Sequence, residues 1–238
     1  MGPGPVTPVV KALIIANVVM FVVRSLAMSL TVPLELVSSE VLTQFRLWQP
    51  FTYLFLHGSI FHILFNMLTL WMFGVELERM WGSRYFTKYY FVAGVGAGLT
   101  QIIASLLPFG PFASLYNAPT IGASGAIFGL LLAYAMYFPK RQIMFFGVFP
   151  IEVRYFVLIM GGISLLSAAD GASGVAHMAH LGGIAAGYLY LKSPRLGGRL
   201  NVIAEIKYRY VKWRINKMRR KFDVYSGGRT DDVKRRIH

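Results

Sequence analysis

Four polar side chains sit in stretches otherwise built of apolar residues. His62 and Asn66 lie four apart in His57-Gly-Ser-Ile-Phe-His62-Ile-Leu-Phe-Asn66, so a helix stacks them on one face. Ser124 falls in Gly122-Ala-Ser124-Gly125-Ala-Ile-Phe128-Gly129, and His180 in Ala179-His180-Leu-Gly-Gly183-Ile-Ala-Ala-Gly187. A serine is a poor nucleophile until a base takes its proton. Imidazole, with an unperturbed pKa of about 6.5, can take it near neutral pH. His62 and Asn66 can both donate hydrogen bonds, which suits them to a developing oxyanion. Together these residue types point to acyl transfer. Taken singly, each has a plainer reading: Ser124 as a packing serine, His62 with Asn66 as a clamp between helices, His180 as a proton relay or ligand. Zinc finds little support, because the five histidines include no HExxH helix and no acid at ligand spacing.

The elements that must position these groups are apolar. Of 238 residues, 55% are hydrophobic and only 14% charged, and the mean hydropathy is +0.54. An ordinary soluble domain carries about 25% charged residues, so a water-soluble fold is excluded. There is no cysteine, which removes disulfides and thiolate chemistry. Runs near the length needed to cross a bilayer occur at Pro8–Ser29, Ile60–Glu78, Tyr85–Leu107, Ile121–Phe138, Tyr155–Ala169 and Gly174–Leu191. The first has no basic region before it and no small-residue cleavage site, unlike a signal peptide. The expectation is an all-α polytopic membrane protein with six transmembrane helices. Between the first two spans, Leu30 to Ser59 is broken by Pro33 and Pro50 and rich in Phe45, Trp48, Phe51, Tyr53 and Phe55, so it reads as an interfacial loop. Pro139 to Arg154 reads as a second stretch resting on the membrane surface.

Placing both ends in the cytoplasm puts Arg79, Arg84, Lys88, Lys140, Arg141, Arg154 and the basic tail inside, as the positive-inside rule requires. Spans two, four and six then enter from the same outer face. His62, Asn66, Ser124 and His180 all fall within roughly 10 Å of that entry at about 1.5 Å per residue. They can therefore share one layer. Gly125, Gly129 and Ala133 on span four, and Gly183 and Gly187 on span six, form small-residue stripes that let two backbones approach. Such an approach is what a Ser–His hydrogen bond between helices needs.

The segment around Ser124 resembles the GxSGxxxG motif of rhomboid intramembrane serine proteases, and that around His180 their AHxxGxxxG motif. His57, His62 and Asn66 resemble their HxxxxHxxxN pattern, and Trp48-Gln-Pro-Phe-Thr52 and Glu78-Arg-Met-Trp-Gly82 match flanking segments. The resemblance runs from about Val9 to Leu191. It implies a six-helix rhomboid-like bundle, with Ser124 as nucleophile and His180 as general base. His62, Asn66 and the Ser124 backbone N–H would form the oxyanion hole, with Gly122 in the turn beside it. Phe128 would pack against the catalytic imidazole. Gly125, Gly183, Gly187 and His57 would support the site, and Glu78 and Arg79 would tie the cytoplasmic end to the interfacial loop. His57 and His177 read as structural or loop-positioning. Because no acid stands near His180, with Asp170 ten residues upstream, a dyad is expected rather than a triad. Its substrates would be transmembrane proteins cut in or near their spans, without cofactor or metal. A rival is an inactive relative that binds transmembrane helices for quality control. Such relatives usually lack the serine or the histidine, and this chain keeps both. A transporter with histidine relays would need an acidic partner and an internal repeat, and neither is found.

From Lys192 onward the chain holds 15 of its 24 basic residues and 4 of its 10 acids, so most of the +14 net charge lies there. Three units are expected: the membrane domain at 1–192, a basic amphipathic cytoplasmic helix at 193–224, and a disordered tail at 225–238. Ala204, Tyr208, Val211, Ile215, Met218 and Phe222 form the apolar face of that helix. Anionic lipid headgroups are its expected partner, and no nucleic acid is. The topology suits a bacterial inner membrane.

Overall fold

The computed structural model describes residues 4–107, 110–145, 149–170, 175–193 and 210–215. Helix α1 (Pro8–Leu26) begins with proline at its first turn, where the missing N–H costs nothing. The other free N–H groups of that turn are met by a carboxylate from elsewhere. Glu78 accepts from the Val9 and Val10 amides at 3.0 Å each, from Thr7 Oγ at 2.5 Å and from Ser83 Oγ at 2.6 Å. Arg79 donates to the Pro5 carbonyl at 2.5 Å. Both residues thus fasten the start of α1.

The loop is organised by its own polar set. Short helices α2 (Met28–Thr31), α3 (Ser38–Thr43) and α4 (Gln49–Thr52) are separated by single turns. Gln49 accepts from the Val37 amide at 3.0 Å and donates to Glu40 at 2.6 Å, and Arg46 pairs with the same carboxylate at 2.8 Å. Arg24, near the end of α1, pairs with Glu35 at 2.7 Å and donates to Thr31 at 3.2 Å. The loop aromatics divide. Phe45, Trp48 and Phe51 are exposed, whereas Tyr53 is buried and donates to the Gly94 carbonyl at 2.7 Å.

Helix α5 (Ile60–Thr69) runs without a break through a π-helical turn (Leu70–Gly74) into α6 (Val75–Trp81), and α7 (Ser83–Ser105) follows after Gly82. Then come α8 (Ser124–Tyr137), an antiparallel ribbon of β1 (Gln142–Phe145) and β2 (Phe149–Glu152), α9 (Val153–Asp170) and α10 (Val175–Lys192). The ribbon falls within Pro139–Arg154, so the fold is mostly helical and not wholly α. Helices occupy all six expected segments. Among the described residues, α1 and the α5–α6 helix are long and apolar enough to cross a bilayer.

Helix α8 is shorter than expected. Its 14 residues reach about 21 Å, against a hydrocarbon thickness of about 30 Å. Ile121–Ala123, counted with the span, is not helical. Thr120 pairs with Leu36 in an isolated bridge, the Gly122 amide donates to the Tyr53 carbonyl at 2.9 Å, and Gly122 has φ +123°, open to glycine alone. The backbone is spent on these contacts, so the helix cannot begin before Ser124. Nearly every side chain of α8 from Gly125 to Tyr134 is buried, and α7 and α10 pack against it. The surrounding helices face outward with apolar groups such as Val19, Phe61, Phe65, Leu158 and Leu166. An apolar exterior around a tightly packed small-residue centre is what lipid, not water, permits. Of the expected tail, 193–224 and 225–238 lie outside the described residues save Ser193 and 210–215, the latter helical with Val211 and Ile215 exposed.

Candidate active site

The glycine stripes meet. A Cβ at Gly183 would strike the carbonyl oxygen of Gly125 and lie 2.8 Å from its carbon. One at Gly129 would lie 3.0 Å from the Gly183 carbonyl oxygen, and one at Gly187 3.3 Å from Gly129 Cα. Helices α8 and α10 are therefore in backbone contact, and a hydroxyl and an imidazole on them can touch. Ser124 Oγ stands 2.8 Å from His180 Nε2. Phe128, one turn after Ser124, stacks on the imidazole with centroids 4.2 Å apart and planes within 9°.

The second group converges on the same turn. Ser59 caps α5, accepting from the His62 amide at 3.2 Å, and the Gly58 amide reaches His62 Nδ1 at 3.5 Å. With Nδ1 accepting, the proton of a neutral ring sits on Nε2. A Cβ on Gly122 would come within 2.7 Å of that Nε2 and 3.8 Å of Asn66 Nδ2. Asn66 Nδ2 is buried with no partner, a donor left free beside the nucleophile. The Ser124 amide, at the first position of α8, has no carbonyl within its own helix to bond. Three N–H groups thus lie along the Gly122–Ser124 turn.

His57 is fully buried with both ring nitrogens unpartnered, and its ring meets His62 edge-on at 4.8 Å. Burial, with His62 adding to it, pushes this imidazole well below its ordinary range, so it is neutral. His177 lies edge-on to His180 at 5.9 Å. Among the described residues no three His, Asp or Glu converge as metal ligands would.

Two polar residues escaped the sequence reading. Ser164 of α9 places its Oγ 3.3 Å from His180 Nδ1 and is 3% exposed. Gln101 of α7 is buried with both amide atoms unpartnered. The signal was present for both, since each is a polar group in an apolar span.

Comparison with known proteins gives the chain its kin. The Rhomboid domain family matches residues 44–193. "Rhomboid protease GluP" of Bacillus subtilis is 32% identical over 150 residues, which is 63% of this chain and 26% of that protein. "Rhomboid-like protein 15" of Arabidopsis thaliana is 31% identical over 164 residues, 64% of this chain and 38% of the relative. "Rhomboid protein 1, mitochondrial" of Saccharomyces cerevisiae is 34% identical over 147 residues, 57% and 38% respectively. The matches thus span well under half the length of these relatives, which come from a bacterium, a plant and a yeast mitochondrion, so kinship fixes no one compartment. With the family match covering more than half of its length, the chain belongs to the rhomboid family and is an integral membrane protein.

Proposed function

We propose that this chain is an intramembrane serine endopeptidase that hydrolyses peptide bonds in or near the transmembrane segments of other membrane proteins. The observation that carries the reading is the 2.8 Å contact between Ser124 Oγ and His180 Nε2, beside three convergent donors. In the first step Ser124 Oγ attacks the substrate carbonyl carbon as its proton passes to Nε2. The oxyanion receives hydrogen bonds from His62 Nε2, Asn66 Nδ2 and the Ser124 amide, and the positive end of the α8 dipole lies beside it. Collapse of the intermediate breaks the C–N bond, and imidazolium returns the proton to the leaving amine. Water, deprotonated by the same imidazole, then cleaves the ester and frees Ser124. Stacking on Phe128 holds the ring through both halves. Buried His57, against His62 and with both ring nitrogens lacking protein partners, offers water a place near the site.

The substrate must present an extended strand, because a helix hides its carbonyls. Gly122, in the turn before the nucleophile, leaves room for that strand, because a Cβ there would crowd His62. The bundle crosses the membrane six times with both ends on one side, α8 meeting Ser124 inside the membrane because the Thr120–Ala123 turn supplies the missing depth. Exposed Phe45, Trp48 and Phe51 seat the loop in the interface, and the basic tail lies on anionic headgroups. Incubation with a fluorophosphonate and with a single-span substrate tests the reading. Wild type is expected to be labelled and to cleave, and Ser124→Ala and His180→Ala to do neither. Cleavage that survives either substitution overturns it.

A further inference from the structure

An imidazole that takes a proton at Nε2 must have that nitrogen's lone pair free, so in the neutral ring the proton sits on Nδ1. That N–H then needs an acceptor, or burial leaves it unsatisfied at a cost. The nearest acid in sequence to His180, Asp170, ends α9, and among the described side chains no ion pair or hydrogen bond joins a carboxylate to the ring. What faces Nδ1 is the hydroxyl of Ser164, on a different helix, at 3.3 Å. Ser164 is 3% exposed, so bulk water does not compete for it. The ring is thereby held from three directions: Ser124 at Nε2, Phe128 on its face, and Ser164 at Nδ1.

We propose that Ser164 is a positioning residue whose Oγ accepts the Nδ1–H of His180 and holds the imidazole in the tautomer able to receive the Ser124 proton. The inference rests on the protease reading above and deepens it, extending the dyad to a Ser124–His180–Ser164 chain across α8, α10 and α9. No proton passes to Ser164. When Nε2 takes the Ser124 proton the ring becomes cationic, the Nδ1–H···Oγ bond becomes charge-assisted, and it shortens from its present long geometry. The bond is stronger in the transition state than in the ground state, so it acts on kcat and leaves KM nearly unchanged.

The test uses the full chain in proteoliposomes with Ser164→Thr, Ser164→Val and Ser164→Ala. Threonine keeps a hydroxyl, and valine replaces it with a methyl of nearly the same volume, so packing alone predicts that the two behave alike. The expected result is that Val and Ala lower the rate of fluorophosphonate labelling and kcat about three- to tenfold, the worth of one hydrogen bond, with KM unchanged and Thr close to wild type. A second readout is independent of turnover. The 15N shifts of His180 at pH 8 report the Nδ1–H tautomer in wild type and Ser164→Thr, and a shift toward Nε2–H in Ser164→Val. Equal rates for Val and Thr, or a tautomer unchanged by Val, overturn the inference. If wild type neither labels nor cleaves, the protease reading fails, and the 15N comparison alone decides whether Ser164 sets the tautomer.

Discussion

Adding one methyl group at Gly183 should disable the site from a distance. The new Cβ would meet only backbone: it would fall on the Gly125 carbonyl oxygen, 2.8 Å from its carbon and 3.3 Å from Gly125 Cα. Ordinary contacts begin at 3.4 Å, so α8 and α10 must part by at least about 0.6 Å to clear the carbon and by more to clear the oxygen, and no flexible side chain is there to yield instead. Ser124 and His180 ride on those same two helices, three positions away on one and one on the other. The same displacement stretches their 2.8 Å hydrogen bond to about 3.4 Å, beyond the useful range for a hydroxyl donor. Misplacement of about 1 Å costs on the order of 100-fold in rate, and overpacking costs roughly 1–3 kcal/mol in stability. Gly183→Ala is therefore expected to cut cleavage about 100-fold while remaining folded in a thermal denaturation assay. Gly161→Ala serves as the control, since its Cβ would meet only Ile184 Cδ1 at 3.7 Å, and it should cleave at the wild-type rate. A Gly183→Ala protein that cleaves at the wild-type rate would refute the claim that backbone contact sets the dyad distance.

Three further outcomes are expected. Asn66→Ala removes a free donor and should lower kcat by about 10²–10³ with little change in KM, read in steady-state cleavage; unchanged kcat would take Asn66 out of the oxyanion hole. Glu78→Ala strands the Val9 and Val10 amides at the start of α1 and should lower unfolding free energy by about 2–4 kcal/mol in a denaturant titration. His57 has a depressed folded-state pKa, so the unfolded chain binds its proton first. Its contribution is intact above about pH 6.5 and declines as pH falls below that value. The thermal midpoint should drop between pH 6.5 and 5, and His57→Gln should flatten that part of the profile.

What was legible in the sequence was what spacing and hydropathy encode locally. His62 and Asn66 share a face because they are four apart, and the glycine stripes advertise close approach because small residues recur at four. The contacts that depend on which helix neighbours which were not legible. Ser164 meets His180 only because α9 packs on α10, and Arg24 finds a partner only because the loop brings Glu35 to it. Tyr53 and Trp48 are similar letters in one aromatic run, yet the fold buries the first and exposes the second. The short α8 was hidden because Gly122 reads as apolar span while its positive φ belongs to a turn. Glu78 and Arg79 stand out in a motif, but a motif does not say that they hold the start of α1.

The central claim is that Ser124 is the activated nucleophile, and the most direct measurement is to find the atom that a serine-directed reagent modifies. Purified protein treated with a fluorophosphonate, digested and mapped by mass spectrometry should carry one adduct, on Ser124, and His180→Ala should carry none. An adduct on any other residue, or equal modification of Ser124 without His180, would contradict the account.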